Sequence, residues 1–443
     1  MKRQLNKKHV SVVGMGKSGM AAAALLSRQG ADVLVVDDRD RMIDGALPES
    51  FRCRLGGWRE EDLTSADLVV LSPGVSLDRL PVARLKALGV PLIGEVELAA
   101  GLLSAPMIGI TGSNGKSTTT TLAGEILRDW GWAVFVGGNL GPPLSEAVST
   151  HSDFIVAELS SFQLETVSDL RPRIAALLNI TPDHLDRYPD ISAYRQAKWR
   201  IFENQTSDDH AVLNFDDPAS HPPFLQANPI YFSRHRSVRR GVYLQEGAIV
   251  STIRGEPEAI CRLDSLPAAQ ACHEENILAA VAITLLCGCS VEGIARTLQR
   301  FKGLPHRMEF VRERRGVRYL NDSKGTNVGA VTGSLERLRA PVTLIAGGRD
   351  KDADFRPLAA LVREKVKHMI LLGESKEKMA RVFSGLTRIE TAESMEEALA
   401  LASDRSRPGD MVLLSPGCAS YDLFRDYRHR GEVFKKLVMD LPE

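Results

Sequence analysis

Two glycine turns, each set between a short apolar run and a helical pattern, limit what this chain can fold into. Residues 9–13 read as a strand, Gly14-Met15-Gly16-Lys17-Ser18-Gly19 follows at once, and residues 18–29 read as a helix. Residues 106–110 read as a second such strand, which leads into Thr111-Gly112-Ser113-Asn114-Gly115-Lys116-Ser117-Thr118 and a helix to about residue 130. A strand that turns into a helix and returns as another strand builds a parallel sheet with the helix across its face. Strand-like runs at 32–36, 67–71, 154–157, 174–178, 342–346, 369–372 and 411–414 repeat the alternation, so the chain is α/β.

At 443 residues it exceeds what one hydrophobic core carries, and at about 150 residues per domain three domains are expected. Gly303-Leu304-Pro305, after a charged helix end, has the punctuation of a linker. The expected divisions are 1–96, 97–302 and 303–443. Residues 204–264 have weak periodicity and give no firm pattern. With 44% hydrophobic and 25% charged residues, disorder and coiled coil are poor fits. Lys plus Arg and Asp plus Glu both total 56, so the chain lacks the basic excess of a non-specific nucleic-acid binder. Its six cysteines form no C-x-x-C pair and read as reduced thiols. The basic amino terminus lacks the apolar stretch of a signal peptide. The apolar run 277–291 is shorter than the ~20 residues a membrane span needs and reads as a buried helix. A cytoplasmic protein without membrane insertion is expected.

The first turn fits G-x-G-x-x-G, and Asp37 ends the next strand, as a dinucleotide or other nucleotide-diphosphate site requires. What the diphosphate belongs to is left open. The second turn is a phosphate loop in which backbone amides, Lys116 and the helix dipole face a triphosphate. Ile110 occupies the position of the first glycine in the usual pattern, so the loop is a variant. Gly112, Ser113, Asn114, Gly115, Lys116, Ser117 and Thr118 are expected to bind ATP, with Lys116 at the β- and γ-phosphates and Ser117 on Mg²⁺. Glu158 ends a strand and suits a second magnesium ligand, although the position also suits a solvated cap. His184 lies among carboxylates and reads equally as a ligand or as a hydrogen-bonded loop residue. Lys198, by its helical pattern alone, reads as a surface lysine.

The phosphate loop and Asn179-Ile180-Thr181-Pro182-Asp183-His184-Leu185-Asp186-Arg187 resemble the Mur ligases, and folylpolyglutamate synthases share both. The early GMGKSG turn, Ser72-Pro73-Gly74, Asn321-Asp322-Ser323-Lys324-Gly325-Thr326-Asn327 and Leu414-Ser415-Pro416-Gly417-Cys418-Ala419-Ser420 are similar to the D-glutamate-adding branch of that family. The resemblance implies a Rossmann-like amino-terminal domain, a central P-loop ATPase domain with a mostly parallel sheet, and a Rossmann-like carboxyl-terminal domain. It implies a monomeric enzyme of peptidoglycan precursor synthesis that joins D-glutamate to UDP-N-acetylmuramoyl-L-alanine through an acyl phosphate, giving ADP and phosphate.

Residue by residue, the resemblance implies that Ser18, Asp37, Arg39, Gly74 and Asn139 bind the UDP substrate. Asn276, Arg307 and Asp322 join the ATP site, and Thr326, Lys351, Ser420 and Tyr427 receive D-glutamate. The resemblance also implies that Lys198 is carbamylated by CO2 and, with His184, holds a second Mg²⁺ beside the one on Ser117 and Glu158. A carbamate replaces an ammonium that the cation would repel with an anionic oxygen ligand. Lys116, His184, Lys198 and Lys324 make up the catalytic group. Three positions depart from the family pattern: His273-Glu274-Glu275-Asn276 carries over only at Asn276, Tyr427 stands where phenylalanine is usual, and Gly325 replaces alanine, which is expected to loosen its turn. An NAD-dependent oxidoreductase would leave the second loop and NDSKGTN without a role. A nucleotide sensor would turn over ATP independently of any amino acid. A folylpolyglutamate synthase lacks the GMGKSG domain.

Overall fold

The computed structural model describes residues 4–40, 51–267, 274–339, 341–350 and 352–442. They divide into two compact units. The first holds the chain to Asn179 together with Arg195–Leu263 and Glu275–Thr297; the second holds Ile180–Tyr194, a short piece after Leu263, and the chain from Leu298.

The first unit contains two sheets. In one, β1 (His9–Val13), β2 (Asp32–Val36), β3 (Arg52–Arg54), β4 (Leu68–Leu71) and β5 (Leu92–Gly94) lie in the order β3-β2-β1-β4-β5, all parallel. The connection reverses direction at β1, and a crevice opens beyond the carboxyl end of a strand at such a point. The GMGKSG turn leaves β1 there and enters the helix Lys17–Arg28, which buries Ala22, Ala23, Leu25 and Leu26 on the sheet. Gly19 makes this approach possible: a Cβ on it would lie 1.9 Å from the Gly14 carbonyl oxygen.

The other sheet runs β14-β13-β12-β11-β10-β9-β6-β8-β7. Its strands are β6 (Met107–Thr111), β7 (Val134–Gly138), β8 (Phe154–Glu158), β9 (Ile174–Leu177), β10 (His210–Asn214), β11 (Asn228–Ser233), β12 (Gly241–Gln245), β13 (Ala248–Ser251) and β14 (Glu258–Arg262). Pairing is parallel from β7 to β12 and antiparallel at β12-β13 and β13-β14. Thus 204–264, where periodicity is weak, supplies one flank of this sheet. Because β6 is paired with β8 and β9, the phosphate loop, Glu158 and Asn179 emerge at one edge. The helix Glu274–Leu286 is buried from Asn276 to Leu285, as the apolar run predicts.

Between the two sheets, the helix Glu95–Ala100 is fixed by two buried carboxylates. Glu95 accepts the Ser145 N–H at 2.6 Å. Glu97 accepts the N–H groups of Ser168, Asp169 and Leu170 at 3.0, 2.9 and 3.1 Å. Burial pushes the Glu95 carboxyl above its ordinary range.

The second unit carries β15 (Glu309–Arg314), β16 (Val317–Asn321), β17 (Val342–Ala346), β18 (Val366–Leu371), β19 (Arg388–Thr391) and β20 (Met411–Leu414), in the order β15-β16-β20-β17-β18-β19. Only β15-β16 is antiparallel. Asn321, Leu414 and Ala346 end three adjacent strands, so NDSKGTN, SPGCAS and Gly347-Gly348-Arg349-Asp350 leave the sheet at the same edge. The five described cysteines are free thiols. Among the described residues no helix is long and apolar enough to cross a membrane.

Replacing Gly19 with alanine is expected to lower stability by about 1–3 kcal/mol, because the added methyl overlaps backbone that cannot swing away. Gly74→Ala, whose Cβ would meet nothing within 4 Å, is the matched control and should leave stability unchanged. Urea unfolding of the full chain reads both; equal midpoints for the two variants would contradict the packing argument.

Candidate active site

At the first sheet, Asp37 is buried and accepts the Met15 N–H at 2.5 Å and the Arg39 N–H at 3.0 Å. The Arg39 guanidinium grips both its oxygens at 2.8 and 2.9 Å. The guanidinium holds the Asp37 carboxyl well below the usual carboxylate range, against the opposing effect of burial. Ser18 lies in the first turn of the helix after β1, and Gly74 is exposed beyond β4. Lys17 Nζ donates to the Gly141 carbonyl at 2.7 Å, joining this turn to the loop that carries Asn139.

The phosphate loop is held by β9's edge. Ser113 N–H donates to the Asn179 carbonyl at 2.9 Å, Asn114 N–H to Asn179 Oδ1 at 2.8 Å, and Asn179 Nδ2 returns a bond to the Asn114 carbonyl at 3.2 Å. Gly112 and Gly115 have φ of 153° and 85°. A Cβ at Gly115 would come within 2.0 Å of Asn276 Oδ1, so the buried Asn276 side chain lies directly on the turn. Lys116 Nζ donates to the carbonyls of Gly112 and Ser113 at 2.7 and 2.9 Å, and Ser117 and Thr118 are buried at the helix start. Glu158 is buried at the end of β8, where Asn139 binds it twice: Nδ2 to Oε1 at 2.6 Å and N–H to the Glu158 carbonyl at 2.8 Å. The Ser117 hydroxyl and the Glu158 carboxylate are hard oxygen donors of the kind magnesium selects, although among the described residues no group of three or more His, Cys, Asp or Glu gathers as a metal cluster. Lys198, in the helix Ile191–Trp199, is 1% exposed, so the solvated reading of its helical pattern is wrong for this fold.

The second unit gathers a different set. Asp322 is buried; its Oδ2 accepts the hydroxyls of Ser334 and Ser415 at 2.7 and 2.8 Å, and burial raises its carboxyl above the ordinary value. A Cβ at Gly325 would lie 2.6 Å from Asp322 Oδ2 and 2.8 Å from Ser415 Oγ, so the glycine lets this turn close tightly where looseness was expected. Lys324 Nζ donates to the Tyr427 hydroxyl at 3.2 Å and sits 4.7 Å from its ring centroid. Burial alone would raise the Tyr427 phenol, but the Lys324 ammonium and the Arg428 guanidinium outweigh it and hold it below its ordinary value. Ser420 is buried, Arg307 is half-buried, and Thr326 and His184 line one cavity of about 430 Å³. Lys351 lies outside the described residues.

Two residues escaped the sequence reading. Asn179 opens the NITPDHLDR segment, and its place just after an apolar strand is the signal that marks it. Arg430 gave none: it is 2% exposed and bonds Ser323 Oγ at 3.0 Å, Ser323 O at 2.8 Å, Cys418 O at 3.2 Å and Ala419 O at 3.3 Å, tying the NDSK and SPGCAS turns together. Burial brings its guanidinium down to about 10.

This phosphate loop, with a buried carboxylate beside it and a separate α/β unit of glycine-rich turns, is matched by three family models. They are the Mur ligase MurD-like amino-terminal domain at residues 8–94, the Mur ligase middle domain at 110–253, and the Mur ligase glutamate ligase domain at 306–418. The chain belongs to the Mur ligase family. It is 47% identical to the UDP-N-acetylmuramoylalanine--D-glutamate ligase of Geotalea uraniireducens, covering 99% of this chain and 98% of that one. It is 44% identical to the enzyme of the same name from Pelotomaculum thermopropionicum, covering 100% and 99%. Its fold is similar to that of a pseudomurein peptide ligase type C from Methanothermus fervidus, with a TM-score of 0.63 at 18% identity over 97% of this chain and 100% of that one. The MurF ligase of Thermotoga maritima, solved with ADP, gives a TM-score of 0.60 at 18% identity over 99% of each.

Gly115→Ala is expected to weaken ATP binding by at least about tenfold, since a left-handed alanine is unfavourable before its overlap with Asn276 is counted. Calorimetric titration of ATP into wild type and variant reads this directly; matching dissociation constants would show that the turn does not need glycine.

Proposed function

We propose that this chain joins the α-amine of D-glutamate to the alanyl carboxylate of UDP-N-acetylmuramoyl-L-alanine, with ATP converted to ADP and phosphate. The observation that carries this reading is the 47% identity to a D-glutamate ligase across all three sheets. The proposed domains are 1–96, 97–302 and 303–443, each carrying one of the three sheets. The proposed enzyme is cytoplasmic, where ATP is supplied, and acts as a monomer.

A carboxylate is a poor electrophile because oxide is a poor leaving group. In the proposed reaction a carboxylate oxygen attacks the γ-phosphorus and ADP departs. The amine then attacks the acyl carbon, loses a proton, and phosphate leaves. Ser18, Asp37, Arg39 and Gly74 hold the UDP end. Asn139 orients the sugar-linked substrate beside Glu158, the group it binds in this structure. Lys116 and the loop amides take the phosphates, with Asn276, Arg307 and Asp322 completing the nucleotide site. Lys324 lies near the transferred phosphoryl group, and Thr326, Lys351, Ser420 and Tyr427 receive the two carboxylates of D-glutamate. Ser117 and Glu158 would hold one magnesium, and His184 and Lys198 a second. Bound there, the metal would spread the negative charge of phosphoryl transfer. Lys198 is 1% exposed, and carbamylation by CO2 would turn this buried side chain into an anionic oxygen ligand.

Phosphate release from ATP, followed with UDP-N-acetylmuramoyl-L-alanine and one acceptor at a time, tests the reading. Turnover is expected with D-glutamate and not with L-glutamate, L-alanine, L-lysine or diaminopimelate, with product mass rising by one glutamyl unit. Stripping CO2 from the buffer should slow it and bicarbonate should restore it. Release that ignores the acceptor would favour a nucleotide sensor, and indifference to CO2 would remove carbamylation from the account.

A further inference from the structure

We infer that Asn327 is a positioning residue for His184, acting through the carboxylate of Asp183. Asn327 closes NDSKGTN and is buried. Its Oδ1 accepts the Ala330 N–H at 2.8 Å, capping the helix Val328–Arg337. That bond fixes the amide's orientation, so Nδ2 points the other way and donates to Asp183 Oδ2 at 2.8 Å. The second oxygen of Asp183 accepts the His184 backbone N–H at 2.9 Å, and Oδ2 lies 3.7 Å from His184 Nε2.

The histidine needs this support. Its backbone is left-handed, with φ of 57°, a conformation unfavourable for a residue with a Cβ. A loop held in that state relaxes unless its neighbours over-determine it. Asp183 holds the His184 amide, and Asn327 anchors Asp183 to a helix terminus, a rigid element of the same unit. Asparagine suits both tasks. Serine caps a helix but is too short to reach Asp183, and aspartate caps it while setting a second carboxylate against the first.

This inference rests on the proposed role of His184 in ligation, and two readouts separate them. In the full-length protein N327S and N327D should unfold at the wild-type temperature, since both keep a cap. The kcat of N327S with D-glutamate should fall at least about tenfold, the value of a hydrogen bond to a charged group, while KM for ATP stays put. N327D should fall at least as far. Independently of turnover, the ring ¹⁵N resonances of His184 in the substrate-free protein should shift in N327S. Wild-type kcat in N327S, a kcat loss matched by a loss of thermal stability, or an unmoved His184 signal would overturn the inference. A wild-type protein inactive with D-glutamate would overturn the ligase reading instead, and the ring signal would still decide the role of Asn327.

Discussion

The nucleotide end of this protein depends on how Asn179 grips the phosphate loop. Three hydrogen bonds, two through its side chain and one through its carbonyl, fix Ser113 and Asn114 to the end of β9. Loop amides can face a phosphate only if something else holds the backbone in its unusual shape, and a neighbouring strand is the stiffest support available. Asn276 lies against the same turn, which is why Gly115 has no room for a side chain. Glu158 reaches this edge because β8 is the strand on the other side of β6. Parallel pairing therefore supplies the geometry, and the side chains lock it.

A second constraint links the sheets of the first unit. Glu97 takes three consecutive backbone N–H groups, and Glu95 takes one more on another element. Carboxylates in apolar surroundings are costly unless their lone pairs are filled; backbone donors fill both oxygens of Glu97, whereas Glu95 has one such donor and burial raises its carboxyl. The helix Glu95–Ala100 is a structural brace between two sheets. The second unit uses the inverted device, in which the buried Arg430 satisfies carbonyls of two turns with one guanidinium.

Much of this was legible in the residues because glycine turns and β-branched runs are local signals. Strands at 9–13, 32–36, 342–346 and 411–414 appear with the expected bounds. The flank β10 to β14 was not legible: short strands with exposed or polar positions, the last three joined by antiparallel pairs, leave no clean period. Lys198 misleads for a related reason. Its helix is amphipathic in pattern, and a local window carries no sign that the lysine is 1% exposed in the fold. Arg430 likewise sits in an ordinary charged helix sequence, RHRGEVF, and acquires its role only when β16 and β20 become neighbours. The departures at Gly325 and Tyr427 were visible, but their consequences were not. Only the structure shows the glycine permitting a close approach and the phenol receiving a lysine.

In the proposed reaction the alanyl carboxylate is activated by phosphorylation before the amine arrives. UDP-N-acetylmuramoyl-L-alanine with ¹⁸O in that carboxylate, turned over with ATP and D-glutamate, tests it by mass spectrometry of the released phosphate. One ¹⁸O per phosphate is the result predicted, because the oxygen that attacks phosphorus departs with it. Phosphate free of label, formed alongside the glutamyl product, would contradict the acyl phosphate and with it the roles given to both units.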